Sequence, residues 1–468
     1  MAEKKVDVAI LGSGTAGLNA TGQVGPSGKS FLLINGGEPG TTCARVGCMP
    51  SKALIQVAED YHRRTHLGRY GVDGHTALSI DIPEALEHVQ DLRDNFVDRV
   101  LTNSTDNMGE KFIESYARFA DPHTLELDNG DRVVAERIVI ATGSRPMVPK
   151  AWAQYGDRVM TTDTFFEQED LPQSVAVVGL GVIGLELGQS LSRLGVEITG
   201  FDMAETVGGA SDPAVSSTAL EIMQRDFPIH LGRPVEIEEE GDQLRVSNGE
   251  TSVVVDKVLA SLGRTPNVEG LVLENAGIEL DVTGIPLYNP NTMQCGDSHI
   301  FIAGDVNGER PILHEAGDEG KIAGYNATQD QVTAFRRKVP LAINFCDPNI
   351  CWTGARYADI DLNQIAVGEV KMAPVGRAMI MGQNRGIIRV YADKLSGRIV
   401  GSEMITTRGE NLAHLLNWAI TQELTVGQLI QMPFYHPVIE EALQAALNNL
   451  YAQVEKKNPS PIKELIPL

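Results

Sequence analysis

The sequence has few of the features that mark secreted, membrane-spanning or nucleic-acid-binding proteins. Only five of its 468 residues are cysteine. That number is too small for a scaffold held by disulfides and, being odd, does not allow all the cysteines to pair. No run of eighteen apolar residues occurs, which excludes a membrane-spanning helix of ordinary length. The 39 basic residues are outnumbered by 62 acidic ones. This excess disfavours nucleic acid as a partner, because binding phosphates needs clustered cations.

The first residues, MAEKKVDVAI, lack the basic segment and apolar core of a secretory signal. We therefore expect a cytoplasmic protein. In a reducing compartment, a pair of cysteines is more often catalytic or metal-binding than structural. Glycine is abundant, with 47 residues clustered at a few places, which indicates close approach of the backbone to ligands.

Two glycine-rich runs each follow a short apolar strand and precede a helical pattern. The predicted strands are Val6–Leu11 and Ser174–Val178. In G-x-G-x-x-G, the first glycine permits the turn, the second admits a pyrophosphate, and the third lets helix and strand pack closely. One match alone is a weak signal, but two in the same context predict two dinucleotides bound to one chain. The six glycines are Gly12, Gly14, Gly17, Gly179, Gly181 and Gly184.

The residue about 20 positions further on distinguishes NAD from NADP, since a carboxylate favours a free 2′-hydroxyl and an arginine favours a 2′-phosphate. In the second unit, Asp202 follows the predicted strand Glu197–Phe201, and no arginine stands beside it. This pattern predicts NAD, the alternative being a solvated loop aspartate. In the first unit, Asn35 follows the predicted strand Phe31–Ile34. An amide can still bond a ribose, but the usual acidic residue is missing.

Cys43 and Cys48 lie just before a helical pattern over residues 52–65. They cannot share one face of a regular helix, and a disulfide needs Cα atoms within about 7 Å. Gly47 allows the necessary distortion, and Pro50 suits the first turn of a helix, where a thiolate is stabilised. The alternatives are two structural cysteines or half of a zinc site, but no Cys or His follows within the next dozen residues. A redox role is therefore favoured.

Together these residues resemble the flavoprotein disulfide reductases, also called class I pyridine nucleotide-disulfide oxidoreductases, and most closely their dihydrolipoamide dehydrogenase branch. The signature is a C-x-x-x-x-C motif followed by Pro-Ser-Lys, found here in Thr42–Lys52. Further matches at Ala141–Ser144, Gly263–Asn267, Ala303–Val306 and His436–Glu441 extend the resemblance over essentially the whole chain.

The resemblance implies an α/β fold with two Rossmann-like dinucleotide-binding domains and a C-terminal α+β dimerisation domain. Within the first domain, Ile113–Phe119 and Thr124–Leu127 are predicted strands of a small β insertion. The predicted divisions are residues 1–147 for FAD binding with the cysteine pair, 148–268 for NAD binding, 269–340 as a central segment completing the FAD domain, and 341–468 for dimerisation.

The same resemblance assigns roles to the expected catalytic and cofactor-binding residues. Cys48 is the thiol nearest the flavin and Cys43 exchanges with substrate, while Lys52 and Glu186 pair beside the flavin. His436 with Glu441 acts on the active site of the other subunit of a homodimer. A histidine can accept a proton from a dithiol at neutral pH, and the thiolate then opens the disulfide through a mixed disulfide. The remaining expected cofactor contacts are Asn35, Thr42, Lys52, Ala117, Thr142, Gly143, Ser144, Asp202, Gly263, Asp305 and His314.

We therefore expect oxidation of protein-bound dihydrolipoamide with reduction of NAD, through FAD, with a lipoyl-bearing protein or domain as partner. One alternative is another NAD(P)H-dependent disulfide reductase of the family. Glutathione-type enzymes prefer NADP, which Asp202 disfavours, and a C-terminus without a cysteine pair disfavours mercuric reductase. Another is a non-catalytic flavoprotein subunit, which the retention of both cysteines and of His436 and Glu441 argues against.

Two departures from the family pattern stand out. Val438 and Glu440 occupy positions that are usually Thr and Ser, close to where the substrate is expected to dock. Cys346 and Cys351 form a second C-x-x-x-x-C in a region where family members lack cysteines. We expect these two to be ordinary small buried residues, and we assign no role to Cys295.

Overall fold

The computed structural model describes residues 2–468, and in it the first strand leads directly into the first glycine turn. Val8, Ala9 and Ile10 are fully buried, as expected for a parallel sheet covered on both faces. The elements of this first unit are β1 (Glu3–Leu11), α1 (Thr15–Val24), β2 (Phe31–Asn35), α2 (Thr42–Arg45), α3 (Cys48–His62), α4 (Arg64–Leu67), α5 (Ile82–Thr102), β3 (Phe112–Glu114), β4 (Ala117–Asp121), β5 (Thr124–Leu127), β6 (Arg132–Ile140) and β7 (Ser144–Pro146).

The sheet runs in the order β3-β2-β1-β6-β5-β4. The predicted single strand Ile113–Phe119 is wrong, because the chain forms two strands separated at Ser115 and Tyr116. β3 pairs in parallel with β2, whereas β4 pairs in antiparallel fashion with β5. Only β4 and β5 therefore form a hairpin added to the parallel sheet.

The second unit repeats the order of strand, glycine turn, helix and strand. The predicted strands Ser174–Val178 and Glu197–Phe201 are confirmed at both ends. The parallel sheet runs β11-β10-β9-β15-β8. The elements are β8 (Val159–Met160), α6 (Thr162–Phe165), β9 (Ser174–Val178), α7 (Val182–Leu194), β10 (Glu197–Phe201), α8 (Pro213–Met223), β11 (Ile229–His230), β12 (Glu236–Glu240), β13 (Gln243–Ser247), β14 (Ser252–Val255), β15 (Lys257–Ala260) and β16 (Arg264–Pro266).

After the second unit, the chain returns to the first sheet. β17 (Ile300–Ile302) pairs in parallel with β6, and α9 (Leu313–Asn326) packs on α1. Small residues make this packing possible, because a Cβ on Gly320 would lie only 2.1 Å from the backbone oxygen of Ala16. The first cofactor site is thus built from both the beginning and the middle of the chain.

The last unit is an antiparallel sheet in the order β18-β19-β22-β21-β20, covered by helices. The α/β fold class with a C-terminal α+β unit is confirmed. The chain leaves the first sheet after β6, enters the second parallel sheet at β8, returns to the first sheet at β17 and enters the last sheet at Leu341, while the exact domain boundaries stay a prediction. The elements are β18 (Leu341–Asn344), β19 (Asn349–Gly354), β20 (Ile365–Lys371), α10 (Gly376–Met381), β21 (Gly386–Asp393), β22 (Ile399–Thr406), α11 (Gly409–Thr421), α12 (Val426–Ile430) and α13 (Glu440–Gln453). Among the described helices, none combines the length and apolarity that crossing a membrane requires.

Candidate active site

Two adjoining cavities meet at the first glycine turn. The larger has a volume of about 740 Å³ and reaches from this turn to the second one. The smaller, of about 680 Å³, extends over the end of β2. Ligand sites commonly enclose roughly 300–1,000 Å³, so the two together can accommodate an elongated dinucleotide. Their linings share Gly14, Thr42, Ala141, Gly143 and Ser144.

The glycines of the first turn have distinct tasks. A Cβ on Gly12 would lie 2.3 Å from the backbone oxygen of Ala141, and one on Gly17 would lie 1.8 Å from that of Gly12. These two positions admit only glycine. A Cβ on Gly14 would meet nothing within 4 Å, and Gly14 precedes α1 without any side-chain cap. The free N–H groups of the helix start therefore face the cavity and fit a diphosphate.

The second turn repeats this arrangement. A Cβ on Gly179 would lie 2.3 Å from the backbone oxygen of Ser261, and one on Gly184 would lie 1.8 Å from that of Gly179. Gly181 lines the larger cavity and precedes α7, again without a side-chain cap. The residues of both turns therefore fit the two dinucleotides that the sequence predicts.

Asp202 lies at the end of β10, against the second glycine turn. One of its carboxylate oxygens accepts the backbone N–H of Leu180 at 2.6 Å, and the other accepts that of Ala204 at 2.8 Å. A carboxylate in this place can bond a ribose hydroxyl and repels a 2′-phosphate. Sequence reasoning missed Arg233, whose backbone N–H donates to the backbone oxygen of Asp202 at 3.4 Å. The side chain of Arg233 forms an ion pair with Glu250.

Asp305 lies three residues after the end of β17, in the lining of the larger cavity. Ser144 Oγ donates a hydrogen bond to Asp305 Oδ2 at 2.8 Å, and Arg264 Nε donates to Ser144 Oγ at 2.7 Å. The carboxylate is thus held by a relay that begins on the ribbon formed by β7 and β16. Of the predicted cofactor residues, the larger cavity contains Lys52, Gly181, Gly263, Asp305 and His314, the smaller contains Gly12, Asn35, Ala117 and Thr142, and both contain Gly14, Thr42, Gly143 and Ser144.

Asn35 already uses both ends of its amide. Its Oδ1 accepts the backbone N–H of Ser13 at 3.1 Å, and its Nδ2 donates to the backbone oxygen of Gly37. The amide therefore joins the first glycine turn to the end of β2. Glu38, three residues further on, places a carboxylate in the lining of the same cavity and forms an ion pair with Arg45.

The cysteine pair joins two helices. Cys48 is the first residue of α3, while Cys43 lies in α2. A Cβ on Gly47 would lie 2.9 Å from the backbone oxygen of Thr42 and 3.3 Å from the Cα of Cys43. Gly47 therefore lets the two turns approach each other, as the sequence predicts. Both cysteines are described as free thiols.

In this reduced form the two thiols differ in acidity. A hydrogen bond from Cys43 lowers the pKa of Cys48 to about 7, and the charge of Lys52 acts in the same direction, against the opposing effect of burial. The hydrogen bond to Cys48, with burial, raises the pKa of Cys43. A thiolate therefore forms on Cys48, at the start of a helix, where a negative charge is favoured.

Lys52 lies one turn after Cys48 on α3. Its Nζ donates to Glu186 Oε2 at 2.8 Å. Glu186 is nearly fully buried, and its Oε1 accepts the backbone N–H of Phe345 at 2.8 Å. Elements α3, α7 and the turn between β18 and β19 thus meet at one carboxylate. Sequence reasoning missed Phe345, since nothing local marks it as a neighbour of Lys52.

His436 and Glu441 form a second polar pair, on the last unit. His436 Nδ1 lies 2.9 Å from Glu441 Oε1, and the backbone N–H of Val438 donates to Glu441 Oε2 at 3.0 Å. These hydrogen bonds lower the pKa of Glu441. Because Val438 contributes its backbone, the change from the usual Thr leaves this contact intact.

The imidazole of His436 lies apart from the cysteine pair of its own chain. Its side chain is 81% exposed, and the linings of the two cavities, as described for residues 2–468, do not include it. Nδ1 is occupied by the carboxylate, so Nε2 is the ring nitrogen left for a further partner. This arrangement suits a group that acts on a second molecule.

Glu319 is a buried acid that sequence reasoning also missed. It accepts hydrogen bonds from Gly304 N–H and Asn307 Nδ2, both at 2.7 Å, and pairs with Arg337 at 2.6 Å. It thereby fixes the turn that carries Asp305. The glycines of α9 allow its close packing with α1, but nothing local in the sequence marks a buried carboxylate there.

The chain matches two family models. One describes the pyridine nucleotide-disulphide oxidoreductases and covers residues 6–320, and the other describes their dimerisation domain and covers residues 340–447. A dihydrolipoyl dehydrogenase of Thermus scotoductus is 28% identical over 96% of this chain and 98% of its own. A mercuric reductase of Bacillus cereus is 26% identical over 96% of this chain and 72% of its own.

Solved structures show the same fold. The Cu(II) complex of the HOCl-induced flavoprotein disulfide reductase RclA from Escherichia coli superposes with a TM-score of 0.83 at 22% identity. The alignment covers 97% of this chain and all of that one. The similarity therefore spans all three units described above.

Proposed function

The chain belongs to the pyridine nucleotide-disulphide oxidoreductases, a family of FAD-binding enzymes that use NAD(P)H, and we propose that it oxidises protein-bound dihydrolipoamide with NAD as acceptor. The observation that carries the proposal is the pair formed by His436 and Glu441, an exposed imidazole oriented by a carboxylate. A dithiol substrate must lose a proton before it can attack a disulfide, and this pair supplies the base. Relatives that bear the name dihydrolipoyl dehydrogenase add support.

Two sites are proposed for the cofactors. The first glycine turn, with Thr42, Ser144 and Asp305, holds FAD across the two adjoining cavities. The second glycine turn holds NAD, and Asp202 selects it over NADP. When bound, the cofactors carry an electron pair from the reduced cysteine pair through FAD to NAD.

The protein's own residues carry out the disulfide exchange. The His436 imidazole of one subunit removes a proton from a substrate thiol at the cysteine pair of the other subunit. The resulting thiolate attacks Cys43 Sγ of the Cys43–Cys48 disulfide, forms a mixed disulfide and releases Cys48 as a thiolate. The second substrate sulfur then attacks the first, closing the substrate disulfide and releasing Cys43, which takes up a proton.

The acidity of Cys48 helps this sequence, because a thiol of lower pKa leaves faster in the exchange. Lys52 stabilises the charge left on Cys48, and Glu186 holds Lys52 in place. Substrate oxidation thus leaves one enzyme thiolate, one enzyme thiol and one released proton. A cytoplasmic location, where such thiols persist, and a lipoyl-bearing carrier protein are parts of the same proposal.

The test is a substrate panel on the purified, flavin-loaded homodimer. We expect rapid NAD reduction with dihydrolipoamide and much slower reduction of NADP. Reduction of oxidised glutathione and of mercuric ion by NADH or NADPH, measured in parallel, should stay near background. A flavin-loaded enzyme that is inert to dihydrolipoamide but turns over another disulfide would contradict the proposed substrate and leave the family assignment in place.

A further inference from the structure

The ammonium group of Lys52 is flanked by both a carboxylate and an aromatic ring. Its Nζ lies 2.8 Å from Glu186 Oε2 and 4.6 Å from the centroid of the Phe345 ring. A cation at that distance over a ring is attracted by its negative face. We infer that Phe345 is a positioning residue for the redox centre, whose ring keeps the Lys52 cation beside Cys48. The inference rests on the redox role proposed for the cysteine pair, and not on the identity of the substrate.

The backbone that carries Phe345 is fixed by one face of α7. Glu186 accepts the N–H of Phe345, and Gln189 exchanges two hydrogen bonds with the backbone of Asp347, at 2.8 and 2.9 Å. Arg193 donates to Asp347 Oδ2 at 3.1 Å. Residues 186, 189 and 193 share one face of the helix. The ring is therefore held over Lys52 by a turn that is attached at three points.

The fixed position of the Phe345 ring matters because the Lys52 side chain can also turn toward solvent. Its side chain is 34% exposed, whereas that of Glu186 is only 4% exposed. Without the ring, the flexible lysine stem can turn toward water, which solvates an ammonium strongly. The buried carboxylate of Glu186 would then face Cys48 with less compensation.

Among the described residues, three charged or titratable groups stand out in their effect on the Cys48 thiol. They are Cys43 from α2, Lys52 from the same helix and Glu186 from α7. The first two favour the thiolate, and Glu186 opposes it. Lys52, which is paired with Glu186 at 2.8 Å, therefore offsets the carboxylate that opposes the thiolate, in addition to the larger effect of the Cys43 hydrogen bond. In this way a residue of the C-terminal unit tunes a thiol of the first unit.

The experiment measures the titration of Cys48 directly in flavin-loaded enzyme. A Cys43→Ser background keeps a hydroxyl beside Cys48 and leaves one active-site thiol, whose alkylation rate by iodoacetamide is followed by mass spectrometry across pH. We expect Phe345→Leu to move the midpoint upward by about half a pH unit, the order set by a cation–π contact. Phe345→Tyr, which keeps the ring, should retain the parental midpoint.

Two further variants separate positioning from packing. Phe345→Met fills similar volume without a ring and should shift the midpoint as Phe345→Leu does, which also covers the case in which the leucine variant does not fold. Cys346→Ala alters the adjacent residue and should leave the midpoint unchanged. Parental midpoints in both the leucine and methionine variants would overturn the inference, as would an equal shift in Phe345→Tyr.

No lipoyl substrate enters this measurement, so its outcome is distinguishable from that of the proposed function. Enzyme that is inert to dihydrolipoamide but shows the expected shifts would refute only the substrate assignment. Rapid dihydrolipoamide turnover, together with a pH midpoint of Cys48 alkylation that does not change when the Phe345 ring is removed, would refute only the role of Phe345.

Discussion

The chain contains two cysteine pairs with the same spacing, and the structure gives them opposite environments. Cys48 begins a helix and is exposed, with Cys43 in the preceding short helix. Cys351 lies inside β19, opposite Ile343 on β18, and Cys346 lies in the turn between these strands. A neighbouring thiol lowers the pKa of Cys48, whereas burial raises the pKa of both Cys346 and Cys351.

The second pair also divides its contacts between two cores. Cys346 packs in the apolar cluster that contains Leu185 of α7, while Cys351 packs in the one that contains Leu412 of α11. Each is 1% exposed, so the expectation that both are ordinary buried residues is confirmed for their burial. The comparison teaches that the spacing of two cysteines does not make a redox centre. A helix start and a nearby cation distinguish the pair that we propose to be reactive.

The largest expected difference between the pairs is in turnover. Cys43→Ser removes the sulfur that the substrate thiolate attacks in the proposed exchange, and we expect oxidation of dihydrolipoamide to fall by about a thousandfold or more, while flavin remains bound. Cys346→Ala, the matched change in the second pair, should stay within about twofold of the parent, since the buried Cys346 thiol takes no part in the proposed exchange. Comparable losses in both variants would abolish the distinction between the pairs.

The first pair is also expected to depend on a base from another chain. His436→Gln should reduce kcat with dihydrolipoamide by about 10²–10⁴-fold, the usual contribution of general base catalysis. Reduction of an artificial one-electron acceptor by NADH needs no such base and should persist in this variant. Loss of both activities together would indicate damage to the cofactor sites instead.

Mixed dimers show whether the base really crosses between subunits. If the sites are shared, a dimer of one Cys43→Ser chain and one His436→Gln chain contains one site with both defects and one site with neither. If His436 serves the opposite subunit, such mixed dimers regain about half of the parental turnover per dimer, by counting intact sites. If each chain is self-sufficient, both sites are defective and the mixture stays inactive.

The sequence predicts the reactive pair better than its surroundings, for a physical reason. Gly47, the helix that follows it and the glycine turns are local features, set by backbone geometry over a few residues, although this helix begins at Cys48 and not at the predicted residue 52. The contacts of Lys52 with Glu186 and Phe345 join residues far apart in the chain. Glu186 could be identified only through resemblance to a family, and Phe345 only from the structure.

A similar limit explains the error in the first sheet. The apolar pattern of Ile113–Phe119 fits one strand, because alternation alone does not show where a strand changes partner. The chain in fact leaves β2 after Glu114 and begins pairing with β5 at Ala117. The break brings Ala117 into the lining of the smaller cavity.

A smaller difference between the two cysteine pairs is expected in the pH dependence of their alkylation. In the reduced enzyme, Cys48 should react with iodoacetamide at a rate that rises as pH increases through about 7, because only the thiolate is nucleophilic. Cys346 and Cys351, whose thiols are buried and whose pKa values are raised, should remain unmodified until the protein unfolds. Mass spectrometry of peptides assigns each modification. Labelling of Cys346 in folded enzyme at neutral pH would contradict the proposed inertness of that pair.

The smallest expected effect on turnover comes from Cys351→Ser. In contrast to Cys43→Ser, this change should lower stability and leave turnover intact. The sulfur of Cys351 lies in the apolar core of the last unit, and a Cβ on Gly409 would lie only 3.1 Å from it. A serine hydroxyl there gains no obvious partner, so burying it should lower the free energy of unfolding by about 1–3 kcal/mol. Urea denaturation of the flavin-loaded enzyme measures this change in the free energy of unfolding, with Cys351→Ala as the control that shortens the side chain without adding a hydroxyl.

Turnover of the Cys351→Ser enzyme below the unfolding transition should match the parent, because no atom of Cys351 faces the cavities that the described residues form. A stable Cys351→Ser enzyme with greatly reduced turnover would mean that the second pair carries electrons after all.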